Sequence, residues 1–149
     1  MPTSNPSKYI RAAYIARLKS ITGLNVWDKL VPKNITQPTM YIILDGQAKN
    51  ETVNAKGEYF EWLSTIDVNI YRINEKGYSA GASIDDIEEQ VLNAIRFGVP
   101  IAGFSNKNTK IIESMTLDAE TTTQSIDRRV IKFEHWVCEN PKVYTLPPA

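Results

Sequence analysis

Along Tyr59-Phe60-Glu61-Trp62-Leu63-Ser64-Thr65-Ile66-Asp67-Val68-Asn69-Ile70-Tyr71-Arg72-Ile73, the apolar residues Phe60, Trp62, Ile66, Val68 and Ile70 alternate with Tyr59, Glu61, Thr65, Asp67 and Asn69. Successive side chains of a strand point to opposite faces, so a period of two predicts one long strand with a dry face and a wet face. A buried parallel strand would read apolar on both faces, so this one belongs to an antiparallel sheet covered on one side.

Outward from it, Pro38 opens a strand over Thr39 to Asp45, with Met40, Ile42 and Leu44 on one face and Tyr41 and Ile43 on the other. That strand is expected to be central or covered on both sides. Between the two strands, Gly46 to Gly57 is polar and reads as a long hairpin connection, a length uncommon without a task of its own. Upstream, Ile10, Ala13, Tyr14, Leu18 and Ile21 recur at three and four residues, predicting a helix capped by Ser7 and ended by Gly23. Leu24, Val26 and Leu30 suggest a short strand or extended segment ended by Pro32.

Downstream, Glu75 to Ala82 is read as a loop. Ser83 then begins a second helix, with Asp85 and Asp86 in its first turn and a dry stripe of Ile84, Ile87, Val91 and Ile95; Gly98 and Pro100 close it. Gly98 to Lys110 reads as a long polar loop. Ile111 to Thr121 is expected as a strand with Ile111, Met115 and Leu117 on one face. In Ile126 to Cys138, Ile131, Phe133 and Val137 alternate with Lys132, Glu134 and Trp136. Thr121 to Ser125 is short enough for the hairpin between these two strands. The expected architecture is α+β: two layers, a mainly antiparallel sheet packed by two helices in the order αβββαββ. A chain of 149 residues is expected to form a single domain over 1–149, with an extended leader at 1–6 and an extended tail at 139–149.

Composition narrows the function classes. With 17 basic and 17 acidic residues the formal net charge is zero, whereas proteins that grip phosphates carry a basic excess; no specific nucleic-acid partner is expected. Cys138 is the single cysteine, so neither an intramolecular disulfide nor a thiolate metal cluster is expected. The residues Met1 to Pro6 lack the charged and apolar pattern of a signal peptide, and no stretch has the length of a membrane span, so a cytosolic product without a membrane partner is expected.

One motif bears on chemistry. Gly77-Tyr78-Ser79-Ala80-Gly81 matches the G-x-S-x-G nucleophile elbow, with Asp118 and His135 following in hydrolase order. An elbow needs its serine on a sharp turn directly between strand and helix. Here Glu75 and Lys76 precede the motif, Ala82 and Ser83 follow it, and no strand–helix alternation builds a parallel sheet. The motif reads as a glycine-containing loop.

His135, the sole histidine, lies between Phe133 and Val137 and reads as a hydrogen-bonded structural histidine; it has no histidine or cysteine partners for a metal. Cys138 reads as a small buried hydrophobe, and Arg128 and Arg129 as sending one guanidinium to each face. Lys107 and Lys110 read as residues of a solvated loop. Of Trp27, Trp62 and Trp136, only Trp136 is expected on an outer surface. No cofactor is expected.

The order of a helix from Ser7, a strand through Val26, the strand Pro38-Thr39-Met40-Tyr41-Ile42-Ile43, the long Trp62-to-Tyr71 strand, the Ser83 helix and a closing hairpin resembles the tail terminator (tail completion, head–tail joining) family of bacteriophages. The likeness extends over nearly the whole chain. It implies a structural virion protein without catalytic residues. Copies would form a ring, usually sixfold, that caps the tail tube and joins it to the neck or connector. On that likeness Lys49, Glu51 and Lys56 of the Gly46–Gly57 segment, with Glu58 just after it, become candidate lumen or partner contacts. Leu63, Tyr71 and Trp136, apolar or aromatic on nominally wet faces, become candidate subunit contacts. The alternatives are a small non-catalytic ligand-binding or adaptor domain and, on the elbow motif, a hydrolase using Ser79.

Overall fold

Ile66, Val68 and Ile70 are fully buried along one face of the long central strand, and the rest of the molecule is arranged by what covers them. The computed structural model describes residues 5–29, 40–52, 60–75, 81–120 and 124–140. Its elements are α1 (Pro6–Thr22), β1 (Val26–Asp28), β2 (Met40–Glu51), β3 (Glu61–Glu75), α2 (Gly81–Arg96), β4 (Phe104–Thr116), β5 (Ala119–Glu120) and β6 (Gln124–Glu139). The sheet order is β1-β2-β3-β6-β4, with β5 pairing β6. Every pairing is antiparallel except β1 with β2. The α+β class and the predicted order stand, with the two-residue β5 added where β4 turns back toward β6.

Both helices cover one face. α1 contributes Ile10, Tyr14 and Leu18, one residue per turn, and α2 contributes Ile84, Val91, Ala94 and Ile95. They meet Ile42 and Leu44 of β2, the β3 trio, and Ile131, Phe133 and Val137 of β6. Each such buried aliphatic side chain contributes about 1.5–3 kcal/mol relative to exposure. Among the described residues, no helix is long and apolar enough to cross a membrane.

Local chemistry moves several expected boundaries. The cap of α1 is Asn5, not Ser7: its extended backbone lets Oδ1 accept the Ser7 amide at 3.1 Å. Pro6, placed by sequence in the leader, is the first helical residue, where a missing N–H costs nothing. Gly23 ends the helix as expected, left-handed at φ 70°, its amide donating to the Lys19 carbonyl at 3.0 Å. α2 begins at Gly81, two residues before the expected Ser83 start, and Glu139, assigned by sequence to the tail, is the last residue of β6.

Parts of two expected loops are strand. β2 does not stop at Asp45 but runs to Glu51. Gly46, at φ 60°, supports a bulge, after which pairing with β3 resumes from Ala48 opposite Thr65 to Glu51 opposite Trp62. Its polarity reflects exposure: Gly46 and Ala48 to Glu51 face solvent. Likewise Ser105 to Lys110 belong to β4, which pairs with β6 through a bulge at Lys107, so Lys107 and Lys110 are strand residues. A second bulge changes the phase of β4 after Ile111. Ile111 opposes Phe133 and packs on the core, whereas Met115 opposes Val130 on the other face. The expectation that Ile111, Met115 and Leu117 share a face fails for that reason. The Ser79 motif, Leu30, and the Thr121–Thr123 part of the hairpin lie outside the described residues, as do the leader and tail apart from Asn5, Pro6, Glu139 and Asn140.

Candidate functional site

The sheet face opposite the helices is covered by no described element, and its side chains form ordered cross-strand rows. At one end Trp27, Tyr41, Tyr71 and Arg128 lie side by side. Trp27 and Tyr41 have ring centroids 5.7 Å apart, Tyr41 stacks on Tyr71 at 5.2 Å, and the Arg128 guanidinium sits 5.2 Å from the Tyr71 ring. This row explains why Tyr41 and Ile43 are buried although they point away from the helices. Burial raises the Tyr71 hydroxyl above its usual range, and Arg128 opposes that rise.

In the middle, Asn69 is fully buried on the nominally wet face of β3. Its Nδ2 donates to the Ile43 carbonyl at 3.2 Å and to Asp45 Oδ1 at 2.8 Å, and its Oδ1 accepts Arg128 Nε at 3.2 Å and Nη2 at 2.7 Å. One amide thus ties three strands together without leaving an unsatisfied group. Asp67 follows, 3.8 Å from Lys132, which opposes Glu113 on β4. Burial raises the Asp67 carboxyl above its usual range, Lys132 lowers it, and Asp45 and Glu113 raise it further. A depression of about 220 Å³ opens here, lined by these charges with Met115, Leu117 and Val130. Neither Asn69 nor this array was singled out from sequence, because a polar residue in the wet phase of a strand carries no mark of its burial. The apolar reading of both faces of β2 was the available signal.

At the far end, Leu63 of β3 stands directly opposite Trp136 of β6. Leu63 is half-buried and Trp136 is 41% exposed. The structure therefore brings together two of the three candidate subunit contacts. Tyr71 lies eight residues along β3 from Leu63, about 26 Å away, and its ring is engaged within the subunit. Lys49 and Glu51, both exposed, lie beside β3 in the extension of β2, opposite Ser64 and Trp62. Lys49 Nζ donates to Asn5 Oδ1 at the start of α1 at 2.9 Å, so it belongs to the helix side of the sheet. Lys56 and Glu58 lie outside the described residues.

Of the hydrolase reading, Ser79 lies outside the described residues, and His135 and Asp118 are far apart. His135 is fully buried beneath α1: Nε2 meets the Tyr14 hydroxyl, and Nδ1 lies 3.2 Å from Thr109 Oγ1 and 3.3 Å from the Asn106 amide nitrogen. A neutral imidazole donates at one nitrogen and accepts at the other, and Tyr14 on one side with Thr109 and Asn106 on the other supply the partners. Burial lowers the His135 pKa to about 4, which keeps the ring neutral. Asp118 is instead 3.6 Å from Arg129, near the other end of β6 and about 20 Å from His135.

Arg129 also reaches Asp85 at 3.3 Å and Glu88 at 3.8 Å, fastening α2 to the sheet, while Arg128 serves the opposite face as expected. Cys138 is buried, and burial pushes its thiol pKa up. Among the described residues, no group of three or more His, Cys, Asp or Glu side chains is placed to hold a metal ion.

No protein-family model and no curated protein matches the chain. Among solved structures it is similar to a chain of the virion of a native gene transfer agent particle, at 11% sequence identity and a TM-score of 0.70, over 91% of this chain and 99% of that one. At such low identity the shared property is the fold.

Proposed function

We propose that the protein is a structural virion component that forms a ring, of six copies, at the tail or neck of a phage-like particle, where it caps the tail tube and joins it to the head connector. The observation that carries this reading is the correspondence, nearly end to end in both chains, with a subunit of a gene transfer agent virion. A protein of this kind works through surfaces, without bond chemistry. The Leu63–Trp136 pair supplies an apolar patch on the open face, and a closed ring needs such a patch to meet a different surface of the next subunit. Lys49 and Glu51, at the free end of β2, are the proposed contacts to the tube or lumen, together with Lys56 and Glu58. A ligand-binding domain would call for a deep apolar cavity, and the depression on the open face is instead lined by Asp67, Glu113, Arg128 and Lys132 beside three apolar residues.

Light scattering on the purified protein tests this reading. The wild type is expected to gain mass with concentration toward a closed oligomer, and Trp136→Glu is expected to weaken assembly by about tenfold or more while leaving the melting temperature nearly unchanged. A wild type that stays monomeric at high concentration sinks the ring.

A further inference from the structure

The strand at the open edge of the sheet, β4, runs over thirteen residues from Phe104 to Thr116. Among the described residues, nothing from Ser105 onward pairs with its outer side. Of the large apolar side chains left exposed, Ile112, Met115 and Leu117 lie on this strand or just past it. A long unpaired edge is a template for another strand, and proteins that do not use such an edge blunt it.

The charges flanking its centre are arranged for one partner. Lys110-Ile111-Ile112-Glu113 would place Lys110 and Glu113 on opposite faces of a regular strand. The bulge absorbs Ile112: Lys110 opposes Glu134, Ile111 opposes Phe133, and Glu113 opposes Lys132. Lys110 and Glu113 therefore share the open face, one on each side of Ile111. A bulge commonly spoils an edge, but this one restores the phase that self-pairing requires, because opposed residues of antiparallel strands lie on the same face.

We propose that β4 docks edge to edge on β4 of a second copy, antiparallel about a two-fold axis at Ile111, with Lys110 of each copy facing Glu113 of the other. Across that seam the open-face row reads Asp67, Lys132, Glu113, then Lys110 and Glu134 of the second copy. Its signs alternate strictly over five strands. The two-fold axis writes the same row twice. This contact is isologous, so it is independent of the heterologous contact that would close a ring, and it uses neither Leu63 nor Trp136.

Charge reversal tests the seam. Lys110→Glu and Glu113→Lys both alter exposed side chains, and each variant alone sets like charges against each other at two places. Sedimentation equilibrium at low salt is expected to show each single variant associating through this contact about tenfold more weakly, or worse, than wild type. An equimolar mixture should recover association. Across the mixed seam, the two acidic side chains of the Lys110→Glu variant face the two basic side chains of the Glu113→Lys variant. Thermal melts of the single variants check that the fold is intact. Single variants that associate like wild type, or a mixture that recovers nothing, overturn the seam and leave the ring untouched. Wild-type protein with no two-fold species at any concentration also overturns it. Loss in each single variant with recovery in their mixture establishes it.

Discussion

At the scale of single residues, the most constrained position is His135. An imidazole in an apolar core is tolerated only if both nitrogens find partners, and Tyr14 on α1 with Thr109 on β4 supply them. Tyr14→Phe keeps the ring and the packing but leaves Nε2 buried without its hydrogen-bond partner. It should lower stability by about 1–3 kcal/mol, read as a drop in denaturant midpoint at unchanged slope. The same burial gives a pH dependence. The folded ring resists protonation until about pH 4, whereas an unfolded histidine takes its proton near 6.5. Its contribution is therefore complete above pH 6.5, falls as the solution is acidified, and levels off below about pH 4. The full difference corresponds to about 3 kcal/mol. Thermal melts between pH 7 and 4 should follow that slope, and His135→Gln should flatten this part of it.

At the scale of elements, the sequence declares what repeats and hides what interrupts. The β3 alternation, the α1 stripe of Ile10, Tyr14 and Leu18, and the α2 stripe of Ile84, Val91 and Ile95 were all legible, because each is a period imposed by one core. The bulges were not. A bulge adds one residue without leaving a mark of its own, so the polar half of β2 read as loop and Met115 was put on the face of Ile111. Gly46 is where that hidden geometry can be tested. Its φ of 60° suits glycine, and a Cβ there would overlap the Asp67 carboxylate. Gly46→Ala should cost about 1–3 kcal/mol and loosen the pairing of Ala48 to Glu51 with β3. Faster amide exchange confined to that strand end would report it, and an unchanged exchange pattern would refute the assignment. At the candidate site, Leu63 and Trp136 were recognisable as apolar residues in a wet phase. Their mutual opposition depends on the β3–β6 register, which a strand's own sequence does not encode.

At the scale of the molecule, one face of the sheet makes the core, and the other, covered by no described element, is fixed in place by Asn69, Arg128 and the Trp27–Tyr41–Tyr71 row. A rigid, patterned face with Leu63 and Trp136 at one end suits a part meant to fit other parts, and β4 adds a second surface of a different symmetry. The proposed ring follows from the likeness of fold to a virion subunit joined to these surfaces. Electron micrographs of the purified wild-type protein at high concentration test it most directly. The account predicts closed rings with sixfold averages; a field of single subunits, or open filaments that never close, would contradict it.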